Sequence, residues 1–270
     1  MTSESEINPR LKCDTDVVVS SDLICWYCDP MQMTDPVADH VFGHYLSESE
    51  RQKNQRYRNV RDKKLHLTAR FMTRQLLSRV YPEIQPSEWK FESDSHGKPF
   101  IQNVLTSPLH FNITHTQGLV AVVISRRGPV GIDAESIDRP IDHLGLASRF
   151  FSKREFDTLE SVSETDRAEL FYRIWTLKEA YVKAIGKGLA YGLDTFWFEP
   201  QDLACMTPRL MHMENTNTSV RPGQNCESQA HVRKISIGDS RWMLAVVSQT
   251  LSEIQQGLSL NLMNLPDLLQ

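Results

Sequence analysis

Two hydrophobic periods alternate along this chain, and the places where one gives way to the other divide it into elements. Leu170, Ile174, Leu177, Tyr181, Ala184 and Ile185 recur at helical spacing and form one apolar stripe. Ser163 and Thr165 suit the N-cap of that helix, and Gly186 suits the position just past its end. Ser47-Glu-Ser-Glu50 has capping-box form and predicts the start of an earlier helix. A second helix follows it, with Leu65, Ala69, Met72, Leu76 and Val80 inward and Lys63, Arg70 and Arg74 outward. Ser152-Lys-Arg-Glu155 is another capping box, so Glu155 is read as structural.

Strand patterns fill the intervals. Val17–Val19, Leu23–Tyr27, Trp89–Glu92, His110–His115 into Leu119–Ser125, Val130–Glu135 and Asp194–Phe198 read as strands. Val232–Ile237 and Trp242–Val247 read as a closing antiparallel pair. Asp94-Ser-His-Gly-Lys-Pro99 is a turn by composition, and Met213–Ala230, rich in Asn, Thr and Ser, reads as a mobile loop. Strands flank one main helix in each half, with a junction near Gly128-Pro129. The expected fold is therefore α+β, a pseudo-dimer of two similar lobes (17–128 and 129–250) with the active site in the cleft between them. Residues 1–16 are expected as a flexible tail. Residues 251–270 are expected as a second tail that packs as a terminal helix or binds a partner.

Composition narrows the function classes. In 270 residues the net charge is −4, which argues against wholesale attraction to nucleic acid or membrane, so any polyanion site must be a local basic patch. No apolar run is long enough to span a bilayer and no signal peptide is read, which makes the cytoplasm the expected location. Of five cysteines, Cys25 and Cys28 form a C-x-x-C without a second ligand pair, and they are expected as small core hydrophobes in a strand.

The candidate chemistry lies off the apolar stripes. Tyr172, Glu179 and Lys183 fall away from the stripe of the 170–185 helix, with Trp175 one turn before Glu179. Glu179 and Lys183 are i and i+4, a spacing that fits a surface ion pair or a metal–phosphate site. Lys178, at the rim of the stripe, is expected to snorkel. On Val130–Glu135, Ile132 and Ala134 point one way and Asp133 and Glu135 the other. Two carboxylates on one strand face repel unless a cation lies between them; with Glu179 they supply three hard oxygen ligands of the kind magnesium takes. The basic run from Arg51 to Lys64 is either a solvated helix face or a phosphate patch, with Lys53 and Arg56 its nearest members. Gly97 permits close backbone approach, Lys98 offers a point charge, and His115 is either a structural histidine or a phosphate donor.

Four segments in order, Gly97-Lys-Pro99, Phe111-Asn-Ile-Thr-His115, Gly131-Ile-Asp-Ala-Glu135 and Trp175-Thr-Leu-Lys-Glu-Ala180 with Lys183, resemble those of the Sfp-type 4′-phosphopantetheinyl transferases. The resemblance runs from about Ser47 to Leu189, with Asn112-Ile-Thr-His-Thr116 standing where the family has Asn-Ile-Ser-His-Ser. It implies transfer of phosphopantetheine from coenzyme A to a serine of an apo carrier protein, with release of adenosine 3′,5′-bisphosphate. It implies Asp133, Glu135 and Glu179 as magnesium ligands and Lys183 as a pyrophosphate contact. Lys98 and His115 become contacts to the nucleotide phosphates, Lys53 another basic coenzyme A ligand, and Gly97, Thr114 and Asp133 part of the coenzyme A site. Glu179 and Lys183 are the expected catalytic pair, Glu179 as the base for the serine. A monomer is expected, serving synthases of polyketides, non-ribosomal peptides, siderophores or polyunsaturated fatty acids. A magnesium-dependent phosphohydrolase using the same acids and a non-catalytic coenzyme A-binding module are the competing readings.

Overall fold

The computed structural model describes residues 22–188, 191–212, 227–250 and 259–262. The 1–16 tail, the 17–19 strand and most of the 213–230 loop lie outside the described residues.

In the first half, β1 (Leu23–Cys28) is followed by α1 (Asp35–His44), α2 (Glu48–Arg56) and α3 (Val60–Val80). A short hairpin, β2 (Phe91–Ser93) and β3 (Pro99–Ile101), leads to the longer pair β4 (His110–Thr116) and β5 (Leu119–Ser125). In the second half, β6 (Val130–Ser136) precedes α4 (His143–Phe150), α5 (Lys153–Ser161) and α6 (Glu164–Ile185). Then come β7 (Phe196–Phe198), β8 (Leu210–His212), β9 (Glu227–Ile237), β10 (Ser240–Thr250) and β11 (Ser259–Leu262). The fold is α+β. No helix among the described residues is long and apolar enough to cross a membrane.

Two sheets form the middle of the molecule, one ordered β11-β1-β5-β4 and the other β6-β10-β9. The alternation of strand side chains supplies three apolar layers. Ile24, Trp26, Val120, Val122 and Ile124 pack under α3, whose Leu67, Phe71, Leu76 and Leu77 face them. The opposite face of that sheet (Leu23, Cys25, Ala121, Val123) meets Val130, Ile132, Ala134, Leu244 and Val246 of the second sheet. The remaining face of the second sheet (Val232, Met243, Ala245, Val247) is covered by α6 through Ile174, Leu177, Tyr181 and Ala184. Cys25 and Cys28 are buried free thiols in this core, as the strand reading expects.

The helix boundaries follow their caps. Ser47 and Ser152 both make the two reciprocal bonds of a capping box, Ser163 caps α6, and Gly186 closes it at φ +70°. The second strand begins later than its sequence pattern suggests. Trp89 is instead a core residue whose indole donates to Ser78 Oγ at 2.8 Å.

Four expectations are corrected by packing that sequence spacing does not reveal. Arg74 does not face outward. It is 2 % exposed and donates to the Trp89 and Pro86 carbonyls and to Glu50 Oε2 at 2.7, 3.1 and 2.8 Å. Tyr172 is buried and its hydroxyl donates to the Arg139 carbonyl at 3.0 Å. Lys178 does not snorkel. Its ammonium is fully buried at 2.7 Å from Glu155, and it also donates to the Leu193 and Phe196 carbonyls. The 251–270 segment is more than a tail, since Ser259–Leu262 pairs parallel to β1 as an edge strand.

Candidate active site

Residue 131 decides how close α6 comes to β6. A Cβ there would lie 2.0 Å from the Ala180 carbonyl oxygen and 2.4 Å from the Ala184 nitrogen, so only glycine lets the helix press onto the strand. Asp133, two residues on, points to the helix side while Ile132 and Ala134 enter the core between the sheets. The close approach brings Lys183 Nζ to 2.7 Å from Asp133 Oδ1 and 3.2 Å from the Ile132 carbonyl. From the first sheet, Asn112 accepts the Ile132 backbone N–H at 3.0 Å and Thr114 Oγ1 donates to Asp133 Oδ1 at 3.3 Å. The Asn112 and Thr114 side chains therefore tie β4 to β6.

Asp133, Glu135, Glu179 and Lys183 line one cavity of about 430 Å³, together with Thr114, His115, Trp175 and Arg139. Glu135 lies 3.8 Å from Arg139. Trp175 is held edge-on to Phe150 and stacked on Phe171, which fixes an apolar wall beside Glu179. Burial, and next the charge of Asp133, push the Glu179 carboxyl up to about 7; Lys183 opposes this rise and Glu135 adds to it. Burial and Asp133 also raise Glu135. Asp133 Oδ2 is buried without a hydrogen-bond partner among the described residues. Three crowded carboxylates share Lys183 and Arg139, and one buried oxygen is left over, so the acids outnumber the cations that face them. These hard oxygen donors fit a magnesium ion. As placed, however, no three His, Cys, Asp or Glu side chains among the described residues stand close enough to hold a metal by themselves.

The other candidates distribute as follows. His115 stands at the mouth of the cavity. Partial enclosure, followed by the charges of Lys183, Arg70 and Lys53, holds its imidazole below its ordinary range. Lys53 is exposed on α2, within electrostatic reach of His115. Arg70 lies 3.6 Å from Glu50, Arg51 turns to Glu48, and Arg56 is exposed on the last turn of α2. Gly97 takes φ +82° in the β2–β3 turn. Lys98 stands apart from the acids. Its ammonium donates to the Lys183, Ala184 and Val130 carbonyls at 2.6, 2.9 and 3.2 Å, which accounts for its three protons and pins the end of α6. Burial pulls it down to about 8.

Arg139 is a site residue that the sequence reading does not name. Its signal was the i+4 spacing from Glu135, which carries no weight beyond the end of a strand. Tyr172, which holds the Arg139 carbonyl, gives no sequence sign of that role.

An α+β protein whose pocket combines carboxylates, a lysine and a rim of cations has the composition that phosphoryl transfer uses. Comparison with known proteins supplies the family. The 4′-phosphopantetheinyl transferase superfamily profile matches residues 129–234, and the 4′-phosphopantetheinyl transferase N-terminal profile matches residues 37–127. The transferase gsp of Aneurinibacillus migulanus is 34% identical over 172 residues, 63% of this chain and 69% of that protein. A putative 4′-phosphopantetheinyl transferase of Synechocystis is 35% identical over 169 residues, 63% of this chain and 67% of the relative. Sfp of Bacillus subtilis is 34% identical over 155 residues, 57% of this chain and 66% of Sfp. The chain belongs to the 4′-phosphopantetheinyl transferase superfamily.

Proposed function

We propose that the cavity between β4, β6 and α6 transfers 4′-phosphopantetheine from coenzyme A to a serine of an apo acyl or peptidyl carrier protein. The observation that carries this reading is the gathering of Asp133, Glu135, Glu179 and Lys183, from two distant segments, around one cavity beside His115. The finer architecture we propose is a pseudo-dimer of lobes 17–128 and 129–250, with the site in the cleft where β4 meets β6. Its support is that each sheet is covered by one long helix, α3 or α6.

In the transfer, the serine oxygen forms a bond to the phosphorus that carries pantetheine. The bond from that phosphorus to the bridging oxygen breaks, and adenosine 3′,5′-bisphosphate leaves. The serine proton goes to Glu179. Lys183 neutralises charge on the diphosphate and can protonate the departing oxygen. His115 and Lys53 hold the nucleotide phosphates. Gly97 lines the nucleotide end through its backbone, and Lys98, committed to carbonyls, acts there by keeping α6 in place. Asp133, Glu135 and Glu179 would hold a magnesium ion, which supplies charge neutralisation at the diphosphate when bound. Thr114 orients Asp133 for that task. The protein is proposed to act as a cytoplasmic monomer with no nucleic-acid partner.

The test is mass spectrometry of apo carrier proteins incubated with the chain, coenzyme A and magnesium. The expected result is a gain of one phosphopantetheine, lost in Glu179→Gln. Release of adenosine bisphosphate from coenzyme A without any carrier would instead indicate a phosphohydrolase, which neither the site nor the comparisons favour.

A further inference from the structure

α1 keeps its apolar residues on one side. Val41 is fully buried, and Val37, Ala38 and Phe42 pack against the same core. That leaves His40, Gly43 and His44 exposed on the other side. His40 and His44 are i and i+4, so their side chains rise from one strip of helix surface. Their rings stack, with centroids 4.3 Å apart and planes 26° from parallel.

Both rings are oriented by neighbours. His44 Nδ1 lies 2.9 Å from the His40 carbonyl oxygen. A carbonyl only accepts, so Nδ1 carries the proton and Nε2 is the lone-pair nitrogen of the neutral ring. His40 meets the edge of Tyr45 at 5.9 Å, and Tyr45 in turn meets the buried Phe71 at 5.1 Å. Gly43 keeps the space beside the pair open, since a Cβ there would meet nothing within 4 Å. The cations near this face are paired. Lys64 lies 2.9 Å from Asp35, and Arg51, which reaches the Gly43 carbonyl at 3.4 Å, lies 3.2 Å from Glu48. Asp39, one residue before His40, is exposed and adds negative charge.

We propose that His40 and His44 together bind a divalent transition-metal ion of the zinc, nickel and copper class, with water in the remaining positions. Zn–N bonds of about 2.0–2.1 Å place two ligating nitrogens of a tetrahedral ion about 3.3 Å apart. Stacked imidazoles reach that spacing by a small side-chain rotation. The donation from His44 Nδ1 to a backbone carbonyl is the arrangement that commonly fixes the tautomer and orientation of a metal-bound histidine. Imidazole suits these ions, whereas magnesium takes oxygen ligands. The ion on α1 therefore differs in kind from the one assigned to the acids, and no residue of α1 lines the acid pocket. Bound there, it cross-links the last turn of α1.

The experiment is titration calorimetry of the full chain, without a polyhistidine tag, with nickel chloride. His40→Gln and His44→Gln change exposed side chains, and circular dichroism should stay as in the parent. Each is expected to weaken nickel binding by roughly tenfold or more. Asp133→Asn is expected to bind nickel as the parent does. Spin resonance with one equivalent of Cu²⁺ gives a second reading. The parent should show splitting from two ligand nitrogens, and the double variant His40→Gln, His44→Gln should lose it. Unchanged nickel affinity in both single variants overturns the proposal and assigns the ion to other histidines. A loss as large in Asp133→Asn also overturns it, because the ion then sits among the acids. So does a parent chain that takes up no nickel.

Discussion

Lys178 and Lys183 sit five residues apart on α6, and each places its ammonium 2.7 Å from a carboxylate. The distances match but the surroundings do not. The Lys178–Glu155 pair is wholly buried, and every polar neighbour is accounted for. Lys178 donates to two carbonyls, while Glu155 accepts from the Phe198 N–H and from the Ser152 hydroxyl and backbone N–H. Lys183–Asp133 borders an open cavity, with Lys183 partly exposed, and one Asp133 oxygen has no partner among the described residues. A saturated ion pair joins α5, α6 and the strand after them into one body. An unsaturated one has capacity left for a ligand. Ion-pair geometry alone does not separate structure from function; the count of remaining partners does.

The largest effect is expected at the saturated pair. Lys178→Met leaves the Glu155 charge buried and alone, a change that costs about 3–5 kcal/mol. For a chain of this size that is a fall of about 10 °C in melting temperature. Calorimetry checks it, and a melting point within two degrees of the parent would remove the distinction between the pairs. Lys183→Ala should do the reverse. Its carrier-loading kcat/KM should fall about 10²- to 10³-fold, as for loss of one charge-stabilising donor, with little change in melting temperature. Steady-state loading kinetics and a melt of the same preparation decide it.

A smaller effect is expected at the end of α6. Lys98→Met removes the donor from three carbonyls, and a loss of about 1–3 kcal/mol follows. Denaturant unfolding measures it. A variant as stable as the parent, with coenzyme A affinity alone reduced, would mean that Lys98 serves phosphate directly. The smallest effect concerns pH in the metal-free protein. The folded pKa of Glu179 lies above its ordinary value, so the folded chain holds that proton more tightly than the unfolded chain. Stability from this site is therefore full below the ordinary carboxylate range and is lost as pH rises through about 7. Glu179→Gln, always neutral, should match the parent near pH 4.5 and melt higher than it at pH 8 in chelator. A constant gap across that range would contradict the crowding of the three acids.

The same comparison explains what could be read in the chain beforehand. The period of α6, its caps, the alternation on β6 and the Glu179–Lys183 spacing are local patterns, and the residues they single out, the three acids and Lys183, line one cavity. Lys178 and Arg74 were misread because their partners are distant. Glu155 lies on the preceding helix, α5, and Arg74 meets Glu50 and the Pro86 and Trp89 carbonyls from other segments. Helical angle puts Lys178 at a rim and Arg74 on an outer face, and only tertiary packing turns them inward. The pairing of β11 with β1 was invisible for a similar reason, since a four-residue edge strand shows no alternation long enough to recognise.

The central claim is that three carboxylates from β6 and α6 share one divalent ion with the diphosphate of coenzyme A. Electron spin resonance of Mn²⁺ tests it most directly, by counting free ion as protein and coenzyme A are added. The account predicts uptake of one ion per chain that depends on coenzyme A and is lost in Asp133→Asn and in Glu179→Gln, with circular dichroism unchanged. Undiminished uptake in both variants would contradict it.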